Sequence, residues 1–364
     1  MPNSITNRQM VFILFTTLTT ITSVSIAQAM ALGAGTGAWI PILLVSVVFG
    51  LVAVLIVKLN MLFPGKVLFD YSGELVGKRV AYVIAVFYIL YFLVVSTYLC
   101  ISFSRTIAHN FLPQTPQWAE LAVGIPIFGY IAYKGITNLA RLFEVIGLIL
   151  LLVMVLLYIF MLLQGHINNI LPLFDPSDVP EYASSAKDLV VPFLGMEILT
   201  VIPFTAANRK ASKVAFITLI GIGVYYVLVV YACFVMITPE EIVYYKDPLI
   251  ESMHLVELRP IQFLNRVDII YLTIGLAGVI AGKSIVITAV VEYTARIFTK
   301  AKRLFIVVGV CIAVFVLSLS FAHMKDFDPL FVGVISWGGL PAAVLIPLVL
   351  FIVAKVKKHG GKMG

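Results

Sequence analysis

Glu197 is a carboxylate inside the apolar run Leu189–Thr205, with Pro192 and Gly195 just before it and Pro203 just after. Holding an ionisable group at membrane depth costs roughly 2.5 to 3.5 kcal/mol on insertion scales, so such a group faces a cavity, a partner or a substrate. The flanking Gly and Pro weaken the helical ladder, and unpaired backbone is tolerated at that depth only beside protein or water. Gly195, Met196, Glu197 and Thr200 are therefore candidate ligand-binding residues at an interrupted helix. Protonated, Glu197 would donate a hydrogen bond; ionised, it would attract an amine.

Other polar groups share the apolar background. Thr16, Thr17, Thr19, Thr20, Thr22, Ser23 and Ser25 crowd into a few turns near the N-terminus. Such hydroxyls either bond back to carbonyls one turn earlier or hold neighbouring helices together. Alternatively several of them, with Thr19, Thr20, Thr22, Ser23 and Ser25 as candidates, face a polar cavity. Lys283, with Ser284 and Thr288 close by, is a second charge at membrane depth. Its ammonium could fill a coupling-cation position, pair with Glu197, or snorkel toward headgroups on its long stem. Tyr98, beside Ser96 and Thr97, offers an aromatic wall with a hydroxyl tip, or plain packing.

The elements that must position these groups are membrane spans. Of 364 residues, 61% are hydrophobic and 12% charged, about half the charge of soluble domains. Apolar runs near the roughly 20 residues that cross a bilayer recur along the whole length. They predict about ten spans, near Met10–Leu32, Ala38–Leu59, Ala81–Ser104, Leu121–Tyr133, Phe143–Leu163, Leu189–Thr205, Val214–Met236, Ile269–Val291, Leu304–Phe321 and Leu330–Ala354. The fold class is all-α and polytopic, one transmembrane domain over 1–364.

Lys and Arg concentrate in alternate loops, at Arg8, Lys58–Arg79, Lys134–Arg141, Arg209–Lys213, Arg296–Arg303 and Lys355–Lys362. By the positive-inside rule both termini are cytoplasmic. The same distribution explains the net charge of +7 without a nucleic-acid partner. Five spans precede the long Gln164–Asp188 connection and five follow it, so the two halves have opposite topology. Repeat one covers about 9–165 and repeat two about 185–355. No signal cleavage site follows Met1–Arg8, so the first span is expected to be retained. Thr238–Asn265 reads either as an amphipathic helix over the outer face, through Ile250, Met253, Leu255 and Leu258, or as a solvated loop.

Cys100, Cys233 and Cys311 are isolated within predicted spans, which leaves neither a disulfide framework nor a zinc knuckle. The five histidines lack metal-ligand spacing. No nucleophile elbow, phosphate-binding glycine loop or paired catalytic carboxylates are present, so neither metal, cofactor nor enzymatic chemistry is expected.

Three segments make the reading more specific. Phe193-Leu194-Gly195-Met196-Glu197, the loop Phe63-Pro64-Gly65-Lys66-Val67-Leu68-Phe69-Asp70-Tyr71 and Arg266-Val267-Asp268 resemble the B subunits of spore-germination nutrient receptors, nearly end to end. That resemblance implies the amino acid/polyamine/organocation superfamily and the leucine-transporter fold. It places a ligand site between the first, third, sixth and eighth helices. It also implies a germinant-binding subunit, commonly for amino acids, beside a membrane-embedded A subunit and a lipoprotein C subunit, in the inner membrane of the spore. Where the family often has glycine–x–glycine and a following proline in the first helix, this chain has Ser23-Val24-Ser25 and Met30. A bulky aromatic common near Gly275 is also missing, which implies a wider pocket. The competing expectations are a proton- or sodium-coupled amino acid transporter and a conduit for water or small solutes.

Overall fold

The computed structural model describes residues 5–22, 26–110, 113–245, 247–256, 267–324 and 327–357. Among these, seven helical stretches are long and apolar enough to cross a membrane: Gly35–Met61, Lys78–Ala108, Ile136–Gln164, Ala211–Met236, Thr273–Ile297, Arg303–Phe321 and Phe327–Val356. The three remaining predicted spans differ for a physical reason. The first is described as α1 (Asn7–Thr22) and α2 (Ile26–Gly33), with Ser23–Ser25 outside the described residues, and the fourth is a continuous helix of 18 residues, Gln117–Lys134, whose apolar length is shortened by Gln117, Glu120 and Lys134. The sixth is broken at Leu194–Gly195, so it contains no unbroken apolar helix of spanning length.

After α2 come α3 (Trp39–Met61), α4 (Leu68–Val76), α5 (Lys78–Asn110), α6 (Gln117–Lys134) and α7 (Ile136–Gln164). The second half opens with α8 (Val179–Ser185), a 3-10 turn at Ala186–Leu189 and α9 (Val190–Phe193); a second 3-10 segment, Met196–Val201, follows the break. It continues with α10 (Ala211–Met236), α11 (Pro239–Ile242), α12 (Pro248–His254), α13 (Val267–Ile297), α14 (Arg303–Phe321), α15 (Phe327–Leu340) and α16 (Ile346–Val356). The first span of the second half is thus discontinuous, between α9 and the Met196–Val201 segment.

Two long pairs, α3 with α10 and α5 with α13, frame the interior, and α1 lies between α7, α10 and α13. The face turned to lipid is apolar: Val83 of α5, Leu152 of α7, Phe305 and Ile312 of α14 and Trp337 of α15 are exposed. Hydrophobic burial gives no inward preference against lipid, so the interior is held by packing and by hydrogen bonds between helices. The outer segment settles one of the open alternatives. Short helices α11 and α12 bury Ile250 and Met253, whereas Leu255 is exposed; Leu258 lies outside the described residues. Gln28 of α2 donates to the carbonyls of Val243 (2.9 Å) and Tyr245 (3.2 Å), tying this segment to the outer half of the first helix.

Candidate functional site

The break in the sixth helix follows from local sequence. Pro192 cannot donate an amide, Leu194 is extended, and Gly195 takes φ +118°, a conformation costly for any residue with a Cβ. Each polar group freed there finds a partner, as hydrocarbon surroundings demand. Leu194 N–H reaches back to Val190 O, and Gly195 N–H donates to Glu197 Oε2 at 2.7 Å. The other carboxylate oxygen, Oε1, accepts from the hydroxyl of Tyr91 on α5 at 2.8 Å. Thr200 Oγ1 donates to the Glu197 carbonyl at 2.7 Å and accepts from Tyr293 of α13 at 2.9 Å. Glu197 is 1% exposed, and among the described residues it has no ion-pair partner. Two directed donors and a local turn hold its carboxylate in place of a counter-charge.

Tyr226 of α10 joins α1 to the end of α9. Its buried hydroxyl stands 2.9 Å from both Leu18 O in α1 and Pro192 O at the end of α9. The ring packs edge-on against Phe193 with centroids 5.4 Å apart.

A cavity of about 30 Å³ adjoins the carboxylate, lined by Tyr91, Tyr98, Gly195, Glu197, Val286 and Ile335 together with apolar neighbours. A water needs roughly 10–15 Å³ measured this way, so the space holds one or two small groups and must widen to take a metabolite. Its walls come from α5, the broken helix, α13 and α15, with Glu197 and two tyrosine hydroxyls as the polar points. Such a site can orient a hydrogen-bond donor or a cation and surround the rest of a ligand with hydrocarbon.

The expected site residues divide. Tyr98, Gly195 and Glu197 line the cavity, and Thr200 braces the segment behind them. Met196 is fully buried and packs in the core. Thr19 and Thr20 bond back to Phe15 O and Thr16 O, and Ser284 and Thr288 to Ile280 O and Ser284 O, one turn earlier on their own helices. Those four hydroxyls are engaged by backbone instead of lining the cavity. Thr22 is the last residue of α1; Ser23, Ser25 and Arg266 lie outside the described residues.

The expected Glu197–Lys283 pair is not formed. Lys283 sits within the unbroken α13, its ammonium bonded to Leu99 O of α5 and 4.4 Å from the centre of the Phe103 ring. It is 4% exposed, so it does not snorkel either. Sequence reasoning missed Tyr91, Tyr226 and Tyr293. Each is a hydroxyl-bearing ring in an apolar span, the signal by which Tyr98 was singled out.

Comparison with known proteins agrees with this geometry. Residues 4–326 match the family model described as spore germination protein. Spore germination protein YndE of Bacillus subtilis (strain 168) is 25% identical over 329 residues, 89% of this chain and 88% of that relative. Spore germination protein KB of the same organism is 23% identical over 338 residues, again 89% and 88% of the two chains. Two solved structures share the fold at low identity. MhsT in complex with L-phenylalanine has a TM-score of 0.64 at 12% identity, over 94% of this chain and 97% of that one. A Na+-coupled sialic acid symporter in a substrate-bound outward-open state has a TM-score of 0.62 at 16% identity, over 93% and 77%. A helical membrane chain with a helix broken at Leu194–Gly195, matched over most of its length by one family, belongs to the spore germination permeases: it is a germination-related membrane permease or receptor of leucine-transporter fold, and not an enzyme.

Proposed function

We propose that the chain is the germinant-binding subunit of a spore germination receptor. An amino acid or similar small nutrient enters the cavity beside Glu197, and closure around it alters contacts with A and C subunits in the inner membrane of the spore. Both termini then face the cytoplasm, and the two repeats span about 9–165 and 185–355. The observation that carries this reading is a buried carboxylate at a helix break, held by two donors and facing a cavity. Differential affinity of the ligand for the closed state supplies the signal.

Thermal unfolding of the purified protein against a panel of amino acids and nucleosides tests the proposal, because a ligand at a hundred times its Kd adds about 2.7 kcal/mol of apparent stability. One class of compound should raise the Tm, and Glu197→Gln should weaken that response by about tenfold, the loss of roughly 1.4 kcal/mol. A full response in Glu197→Gln places the site elsewhere. The shared fold of the two transporters favours a second reading, coupled transport of the same ligand. Accumulation of labelled ligand against a gradient in liposomes would establish it; saturable binding without flux would reject it.

A further inference from the structure

The segment Phe63–Tyr71 and helix α4 after it take no part in the site, yet they grip its inner end. Below Glu197 the sixth helix runs as a 3-10 turn to Val201 and is extended at Ile202. Leu199 O there accepts from Ile202 N–H at 3.3 Å and takes a second donor from the end of α3, and Phe204 O takes one from this segment. Asn60, fully buried at the end of α3, donates from Nδ2 to Leu199 O at 2.7 Å. Gly65 N–H donates to Phe204 O at 2.7 Å, from a turn at φ +77° that only glycine adopts freely.

Each donor is fixed in turn. Tyr71, fully buried, donates its hydroxyl to Asn60 Oδ1 and stacks on Phe63 with centroids 4.9 Å apart. Asp70 caps the start of α4 by accepting from Val67 N–H at 3.2 Å and pairs with Arg296 Nε at 3.3 Å. Arg296 continues to Glu292 at 2.9 Å, and Glu292 to Arg303 at the start of α14 at 2.7 Å. Lys357, at the end of α16, donates to Leu75 O at 2.6 Å. One short segment thereby binds the inner end of the broken helix to α3, α13, α14 and α16, on the face that holds both described chain ends.

We propose that Phe63–Tyr71 is a latch that keeps this face closed, so that the cavity beside Glu197 widens only toward the opposite face. Opening inward would require the Asn60–Leu199 and Gly65–Phe204 bonds to break together, taking from the buried Asn60 amide and from the Phe204 carbonyl the partners they have here. A chain built this way samples its ligand from one side and holds the inner half still as a rigid reporter. The inference stands whether or not Glu197 binds a nutrient.

The test is cysteine accessibility in detergent without ligand, using a maleimide and the parent chain as the blank for native thiols. Val201→Cys reports on the inner side of the break, where Val201 is 2% exposed, and Val191→Cys reports on the outer side. In Asn60→Ala the Val201→Cys thiol should react about tenfold faster, because reaction of a buried group follows its open population. The Val191→Cys rate should stay as it was. Tyr71→Phe, which keeps the ring and drops one hydroxyl, should give a smaller rise with the same one-sidedness and decides the matter if Asn60→Ala does not fold. Lys66→Ala, which removes only the exposed Lys66–Glu74 pair, should change neither rate. Unchanged Val201→Cys reactivity, or an equal rise at both reporters, overturns the latch.

Discussion

Glu197 and Lys283 are an acidic and a basic group, both buried among the central helices, and are housed in different ways. Glu197 stands where the backbone has come apart, so a main-chain amide is free to bond it, a tyrosine completes its coordination, and a cavity lies beside it. Lys283 stands in an unbroken helix whose own amides are spent; it makes do with one carbonyl and one aromatic face on α5. The contrast teaches that charge at membrane depth is not by itself a site. The carboxylate is prepared for exchange of partners because its hydrogen-bonding shell opens onto space, whereas the ammonium is packed into a contact between two helices.

The sharpest break of this comparison is Glu197→Leu. Removing the acceptor strands the Gly195 amide and the Tyr91 hydroxyl, at about 1–3 kcal/mol each, and chemical denaturation should register most of that loss. Next is Gly195→Ala, which forces a Cβ into φ +118° and to 3.3 Å from the Thr17 methyl; strain of about 1–3 kcal/mol is expected as a lower Tm. Tyr91→Phe keeps the ring against Phe87 and Phe92 and removes one donor, so a loss of about 0.5–1.5 kcal/mol is expected, along with weaker ligand response. Lys283→Met should do least. Exchange of a buried charge for an apolar side chain of similar volume is commonly neutral or stabilising, so Tm should hold or rise and ligand response should remain. A Lys283→Met variant that loses ligand response while staying folded would show the two charges to be equivalent after all.

The break was legible before any coordinates because its causes are local: Pro192, Gly195 and Pro203 are backbone effects that sequence states outright. The cavity and its coordination were not. Tyr91 is 106 residues from Glu197, and nothing in either neighbourhood distinguishes it from Tyr98 or Tyr88; only the packing of α5 against the broken segment selects it. For the hydroxyl cluster near the N-terminus the sequence left two alternatives open, and at Thr19 and Thr20 the bond back to the helix's own carbonyls is the one formed. Composition counts polar atoms, but a helix can absorb a hydroxyl on its own carbonyl four residues back, as Thr19, Thr20, Ser284 and Thr288 do.

By itself the sequence determined that this chain lives in a bilayer, that the run holding Pro192 and Gly195 is interrupted and which carboxylate stands at the interruption, while seven of the ten predicted spans are long apolar helices among the described residues. These depend on hydropathy and backbone chemistry, which act over a turn or two. Tertiary structure alone decided that the ammonium of Lys283 turns to Leu99 and Phe103 and not to Glu197. It likewise decided that one tyrosine on α10 joins α1 to the end of α9 and that Asn60 and Gly65 donate to the carbonyls of Leu199 and Phe204 beyond the break. Such pairings depend on distances between segments far apart in the chain, and hydrogen bonds between helices are chosen by packing geometry that no local pattern encodes.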